Sequence, residues 1–435
     1  MTGIGKSIVD AGAVLALCLI LPLAASGQGK SENVIELRSA KELHVRTIQG
    51  EEAREFIGNV HFVHPSATEG TMKVWCDRAL QYLKQNKIEL FGNVRIERDT
   101  VTIASQRGTY FGNERHAHFV SDVVLVKGGA RLTALSGKYF ADQKMAHFLD
   151  SVTISDSVSS TQCDALTYFE SEERSIAVGN VKVLDTKNAT TVYGDSLVHW
   201  NREQYSIVPR SPRLVQIDSS AAGILDTLVV VGKTMEAFGD TTDLFRVQDS
   251  VYLARGDLAA RSRMASFERR NNRIILVGDP IIWYGQSQIS GDSIIVNTPG
   301  NRLESVEAYG RAMAISRSDT IHAAKFDQLS GREMRLYFED EQLERIVVLQ
   351  NATSLYYLVD ENKPNGANKS TGDRIEIGFL DGKIDFITVI GGVEGTYVPE
   401  QMVIRNESSY NLEGFRWITE RPMRQHEKIV MTQNE

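Results

Sequence analysis

The sequence predicts an all-β fold built from short stacked strands, and three observations support this prediction. Gly occurs 34 times but Pro only 9 times, a balance typical of strands joined by tight turns. Apolar and polar residues alternate with a period of two in many short segments, which places apolar side chains on one face of a sheet. Related segments also recur along the chain. Together these features favour a sheet of repeated units over a helical bundle.

The first 27 residues are predicted to be a secretory signal peptide. Lys6 precedes an apolar run from Ala11 to Pro22, and small residues from Ala24 to Gly27 come directly before Gln28. This run is shorter than the roughly 18 to 20 apolar residues that span a bilayer. We therefore expect export, with a cleaved segment rather than a retained anchor.

The composition also limits the partners. The formal net charge of -8 argues against nucleic acid, because proteins that bind it usually present a basic patch to the phosphates. An anionic ligand would have to be met by local Lys or Arg, and apolar contacts would supply most of the affinity. Nothing in the sequence calls for a cofactor.

A repeat of 29 residues organises the first half of the chain. A turn-forming dipeptide followed by Val recurs, and Tyr-Phe pairs recur in step with it. The Val residues are Val60 and then, at steps of 29 residues, Val94, Val123, Val152 and Val181, and the pairs are Tyr110-Phe111, Tyr139-Phe140 and Tyr168-Phe169. Given strands of roughly five residues, each repeat is predicted to hold about three short strands and to form one rung of a stack.

The repeat phase suggests two lobes. It is interrupted between Pro209 and Gly223, so we predict lobes at 28–208 and 224–398 joined by a linker at 209–223. Beyond Pro399 the alternation fades, and residues 399–435 are predicted to form a polar tail that is mobile or bound to a partner.

Stacked rungs would align the Val residues of the repeat in a continuous apolar trough.

One motif could suggest catalysis. Gly194-Asp195-Ser196-Leu197 matches the short signature of a serine hydrolase family, with Ser196 as the nucleophile. However, Gly291-Asp292-Ser293 nearly repeats it, and Asp77 and Asp164 occupy the same point of other repeats. A residue that recurs with the repeat is better explained by a turn than by catalysis, so we predict no enzymatic activity.

The His and Cys residues are predicted to have structural roles. His118 and His147 share a repeat position and His116 lies close by, but no further ligand follows at matching places, so no metal site is expected. Cys76 and Cys163 share a position about three rungs apart. At roughly 4.8 Å per rung they exceed the ~7 Å limit between Cα atoms of a disulfide, which predicts free, buried thiols.

The recurring Gly-Asn-Val strands and the segment Cys76–Tyr82, following a signal peptide, make the chain similar to the OstA-like, or LptA-like, family. The resemblance covers most of residues 34–398 and is strongest from Val60 to Val183. It implies an elongated β-jelly-roll without catalytic residues, which passes lipopolysaccharide or a related lipid through the periplasm towards the outer membrane. Unpaired first and last rungs would let other OstA-like proteins join head to tail by strand addition.

The resemblance also implies a lipid-binding groove. By matching positions it would be lined by Val60, Phe62, Val94, Ile96, Val123, Leu125, Val152, Ile154, Val181 and Val183. Acyl chains would gain roughly 0.8 kcal/mol per methylene buried there. Two alternatives stay open. The first is a scaffold whose interior is filled by its own aromatic pairs and binds no lipid. The second is a carbohydrate-active enzyme on a parallel β-helix, which inward carboxylates would favour.

Overall fold

The structure, a computed structural model, describes residues 35–421 except 49, 65–70, 188, 220–224, 240–242, 257, 319–324, 341, 361–362 and 420. The predicted signal peptide lies outside the described residues. Almost all the described regular structure is strand, and the strands pair in antiparallel order. The predicted all-β fold is therefore confirmed.

The chain divides into two compact units. The described residues of the amino-terminal unit are 35–212 and 236–239, and those of the carboxy-terminal unit are 213–235 and 243–421. The division follows Pro212, within the predicted linker. Residues 213–219 of that linker form a strand instead of a loop. The lobe boundaries 28–208 and 224–398 remain predictions.

The strands of the amino-terminal unit follow one another along the sheet, except that β1 and β2 both pair with β3. They are β1 (Glu36–Ser39), β2 (Glu42–Ile48), β3 (Glu51–His64), β4 (Met72–Tyr82), β5 (Lys87–Arg98), β6 (Val101–Phe111), β7 (His116–Lys127), β8 (Ala130–Phe140), β9 (Met145–Ser155), β10 (Ser159–Phe169), β11 (Arg174–Asp185), β12 (Thr190–Trp200) and β13 (Tyr205–Val208).

The repeated dipeptides fold these long strands in two. Two consecutive residues have positive φ angles at each corner: 71° and 49° at Gly92-Asn93, and 64° and 55° at Ser121-Asp122. The strand register shifts at the same place, between Phe91 and Val94 in β5. Gly, Asn and Asp tolerate this left-handed conformation best. Backbone geometry thus explains why the repeat carries these residues.

At several corners, the side chain of a corner residue donates a hydrogen bond to an Asp that lies earlier in the chain. The Asn93 side-chain amide donates to Asp77 at 2.9 Å, and the Asn180 amide donates to Asp164 at 2.9 Å. In the carboxy-terminal unit the Arg311 guanidinium donates to Asp292. The recurring Asp, including that of the second Gly-Asp-Ser motif, therefore has a structural role at the corner.

Each 29-residue repeat contains two long strands, β5 of 12 residues and β6 of 11 residues in the first regular one. The prediction of three short strands is wrong. Apolar residues are buried on both sides of the corner, as Ala117 and Phe119 before it and Val123 and Leu125 after it show in β7. The two halves of each strand therefore form two layers that pack face to face.

The carboxy-terminal unit contains β14 (Arg213–Ser219), β15 (Leu225–Val231), β16 (Thr234–Phe238), which extends into the amino-terminal unit, β17 (Leu244–Arg255), β18 (Leu258–Glu268), β19 (Arg273–Val277), β20 (Ile281–Tyr284), β21 (Ser287–Ser290), β22 (Ser293–Asn297), β23 (Ser305–Arg317), β24 (Phe326–Glu339), β25 (Gln342–Asp360), β26 (Lys363–Leu380), β27 (Lys383–Ile390), β28 (Glu394–Val398) and the short helix α1 (Glu400–Val403).

Some strands of this unit are split at the corner. The successive strands β19 and β20 pair with the two halves of β18, and β27 and β28 pair with the two halves of β26. Gly278-Asp279 and Gly391-Gly392 separate the halves, again with positive φ angles. The same architecture therefore continues here with less regular spacing.

Residues 400–418, named the strap, pack on the carboxy-terminal unit. Val403 and Leu412 are buried in a cluster with Met313, Ile315 and Phe326, and Phe415 and Trp417 pack against it. These residues were expected to belong to a polar tail that is mobile or bound to a partner, but they pack against the unit's own strands instead. The strap has no regular period, so its anchors cannot be recognised from alternation.

Candidate functional site

The ten predicted groove residues all lie in the interior of the amino-terminal unit. None is more than 7% exposed. They occupy the second half of alternate strands, β3, β5, β7, β9 and β11, and are Val60, Phe62, Val94, Ile96, Val123, Leu125, Val152, Ile154, Val181 and Val183. The structure thus brings them together in one layer of the core. Their role in lipid binding remains a prediction.

The facing layer was missed by the sequence interpretation. It includes Leu90, Phe119 and Phe148 from the first halves of the same strands. The missing Cβ of Gly137 leaves room for the Phe148 ring, because a Cβ there would lie 2.9 Å from it. The signal was present in the sequence, since these residues recur with the repeat. The sequence alone could not place these residues inside, because the corner that turns both halves of a strand towards the interior was not predicted.

The aromatic pairs divide between the two faces of the sheet. Tyr110, Tyr139 and Tyr168 are 3–6% exposed and lie inside, whereas the following Phe residues are half-buried. Successive residues of a strand point to opposite faces, so each pair can contribute one ring to the interior. Three Tyr rings therefore fill part of the predicted trough, as the scaffold alternative requires.

An apolar cavity lies near the first strands of the unit. It has a volume of about 40 Å³ and is lined by residues of β3 to β7, including Phe62, Ile88, Ile96, Tyr110 and Phe119. Small-molecule sites usually measure roughly 300–1,000 Å³. Two of the ten predicted residues, Phe62 and Ile96, line this cavity. An acyl chain could occupy this region only if the two layers moved apart.

Cys76 and Cys163 contribute to the interior as free, buried thiols, as predicted. Burial raises the pKa of each thiol to about 12. Cys76 lies opposite Val60 and Cys163 lies opposite Val152 on neighbouring strands. The thiols therefore stay protonated and pack as small apolar groups.

The His residues singled out in the sequence pack on strands. The His116 ring stacks on Phe111 with 4.5 Å between centroids, and His147 shares a hydrogen bond of 2.9 Å with Thr167. Burial lowers the pKa of His118 and of His147. Within the described ranges, no group of three or more His, Cys, Asp or Glu residues is arranged to hold a metal ion.

The first hydrolase-like motif belongs to a corner as well. The backbone N–H of Asp195 donates to the carbonyl of Arg210 at 3.4 Å.

Among the described residues, no helix is long and apolar enough to cross a bilayer.

These observations define a class of protein made of folded antiparallel strands with an apolar interior between two layers. Residues 32–214 match a family model described as OstA-like protein. The predicted resemblance is confirmed for this segment, which is similar to the OstA-like family. The matched residues include the whole range 35–212 of the amino-terminal unit.

Other comparisons are more distant. No curated protein matches the sequence. One matching solved structure is the crystal structure of LptH from Pseudomonas aeruginosa, the LptA-homologous periplasmic component of the lipopolysaccharide transport device. It shares 13% identity, with 33% of this chain and 95% of LptH covered, at a TM-score of 0.26.

Proposed function

We propose that the protein is a periplasmic bridge whose amino-terminal unit binds the acyl chains of lipopolysaccharide or a related lipid without catalysing a reaction. The observation that supports it most directly is the interior of the OstA-like segment, where apolar side chains from both layers meet. Transfer of acyl methylenes from water into this interior would contribute roughly 0.8 kcal/mol each. The lipid would enter where the cavity already separates the layers.

Purification without detergent tests this proposal. The full chain is expressed in a lipopolysaccharide-producing host, and bound acyl lipid per protein is measured by mass spectrometry. Ile88→Glu places a charge in the lining of the cavity, at a residue that is only half-buried. Val124→Glu is the matched control, because Val124 points away from the interior in β7. We expect lipid on the wild type and the control, and at least about fivefold less on Ile88→Glu.

The filled interior favours a second candidate function, a scaffold that binds no lipid. Tyr110, Tyr139 and Tyr168 occupy space between the layers, and the cavity holds only about 40 Å³. If no lipid copurifies with folded wild-type protein, and none binds when purified lipopolysaccharide is added, the scaffold replaces the bridge.

We further propose that partners of similar fold add strands at the open edges. None of the eight residues of β27 is buried, and Ile384, Phe386, Ile387 and Ile390 are 40–50% exposed. At the other edge, Leu43 and Val45 of β2 are 55% and 62% exposed. Unpaired apolar edges of this kind pair readily with another strand.

Association with a second OstA-like chain is measured by analytical ultracentrifugation. Phe386→Lys should weaken the association, whereas Leu380→Lys, which changes an exposed residue at the end of β26, should affect it less. Equal association of all three proteins would exclude β27 as the contact.

A further inference from the structure

The strap of the carboxy-terminal unit is held by specific polar contacts as well as apolar ones. The buried Gln288 side chain donates to the carbonyl of Ile418 at 2.6 Å and accepts from its N–H at 3.2 Å. Gln328 accepts from the N–H of Leu412 at 2.9 Å. The ammonium group of Lys325, only 3% exposed, contacts the Glu400 carboxylate at 2.7 Å. The strap therefore has a defined position.

A chamber of about 910 Å³ lies between this strap and the corners of strands β20 to β26. Its volume is within the range of roughly 300–1,000 Å³ that is usual for ligand sites. Leu412, Glu413, Gly414 and Arg416 of the strap form part of its lining. The chamber would therefore be incomplete without residues that the alternating pattern does not predict.

The lining of the chamber carries charges of both signs. Arg311 is paired with Asp292 at 2.9 Å. Three further cations, Arg332, Lys369 and Arg416, line the chamber and form no ion pair with the residues that the structure describes. Guanidinium groups bind carboxylates and phosphates with two parallel hydrogen bonds. An anionic group on a ligand is therefore the natural partner for these cations.

The remaining lining suits hydroxyl groups. Asp279 and Glu413 are acceptors, Asn351 can both donate and accept, and Ser330 and Thr353 supply hydroxyls. This mixture fits a ligand with many hydroxyls, which also donate and accept. An acyl chain would leave these polar groups without partners.

We propose that this chamber binds an acidic saccharide, a sugar chain that carries carboxylate or phosphate groups. The cations Arg332, Lys369 and Arg416 bind the acidic groups, and the polar side chains bind the hydroxyls. This inference stands apart from lipid binding by the amino-terminal unit, because a different part of the chain forms the chamber.

Isothermal titration calorimetry on the full chain tests the inference. The probes are an oligogalacturonate, a maltooligosaccharide of the same length and inorganic phosphate. The test variant is Arg332→Gln/Arg416→Gln, and the control is Lys233→Gln, an exposed lysine of the same unit that does not line the chamber. Circular dichroism verifies that each variant is folded.

We expect the oligogalacturonate to bind the wild type and the control, and to bind the double variant at least about tenfold more weakly, as lost charge-assisted hydrogen bonds require. The maltooligosaccharide should bind at least tenfold more weakly than the acidic sugar. Binding of phosphate alone, equal binding of the neutral sugar, equal binding by the double variant, or no binding at all would each overturn the proposal.

Discussion

The two units use the same folded antiparallel strands but fill the space between their layers differently. In the amino-terminal unit the repeat itself supplies the filling, with Val123, Val152 and Tyr139 from successive strands. In the carboxy-terminal unit a segment from outside the repeat, the strap, inserts Val403 and Leu412 into the apolar cluster. One architecture can therefore present either a closely packed apolar interior or a polar chamber.

The difference follows from the spacing of the strands. Regular 29-residue repeats keep each apolar position in register from strand to strand, so the two layers can approach closely. In the carboxy-terminal unit the strands vary in length from 4 residues in β20 to 19 in β25. Space remains near the corners of β20 to β26, and the strap covers part of it.

The largest expected effect is on the carboxy-terminal unit when the strap is removed. Ending the chain at residue 399 deletes Val403 and Leu412, each worth roughly 1.5–3 kcal/mol when buried, so the free energy of unfolding should fall by about 3–6 kcal/mol. Hydrogen exchange should become faster in β23 to β26 than in β5 to β9. A chain ending at residue 421 retains the strap and is the control. Equal protection in the two truncated chains would contradict the packing role.

The stability of the amino-terminal unit should depend on pH because of one buried histidine, His199. Burial lowers the pKa of His199 from 6.5 to about 4. Below pH 6.5 the unfolded chain therefore binds a proton that the folded chain excludes, and stability is lost as the pH falls from 6.5 to 4. The loss amounts to about 3 kcal/mol. Denaturant unfolding of the wild type and His199→Gln measures it, and parallel curves for the two proteins across this range would refute the assignment.

A smaller effect is expected where the strap ends. Gln288→Ala removes both hydrogen bonds to the Ile418 backbone, and the free energy of unfolding should fall by about 1–3 kcal/mol. Gln350→Ala is a control at another amide that lines the chamber. Thermal unfolding of both variants provides the measurement. A larger loss in the control would show that Gln288 does not anchor the strap.

The smallest effect is expected at a corner of the repeat. Gly92 has a φ of 71°, and an L residue in this region costs about 1–2 kcal/mol. A Cβ at Gly92 would also lie 2.3 Å from Asp77, whereas one at Gly128, with φ 58°, meets nothing within 4 Å. Gly92→Ala should therefore destabilise more than Gly128→Ala in equilibrium unfolding. Equal losses would remove the Asp77 contact from the explanation.

Much of the amino-terminal unit could be predicted from its sequence. Alternation and repeat phase identified the strands, and all ten predicted interior residues are buried. The corner was not predicted, because Gly92-Asn93 reads as a turn between strands and only its backbone angles show that one strand continues through it. The number of strands in a repeat was wrong for this reason.

The sequence could not predict how much free volume the interior contains. The available volume depends on how Tyr110 and Phe119 pack against the facing layer, and such packing does not follow from periodicity. The strap was missed because Val403, Leu412 and Trp417 have no common spacing. Long-range contacts, such as that between Gln288 and Ile418, leave no local signal.

The central proposal is that lipid lies between the layers of the amino-terminal unit. Photocrosslinking at position 88 tests it most directly. A photoreactive amino acid replaces Ile88 inside the cavity or, as the control, Val124 on the outer face. The proteins are irradiated with lipopolysaccharide, and the adducts are identified by mass spectrometry. We expect adducts at position 88 and few at position 124. Equal labelling at both positions, or none at position 88, would contradict binding in the interior.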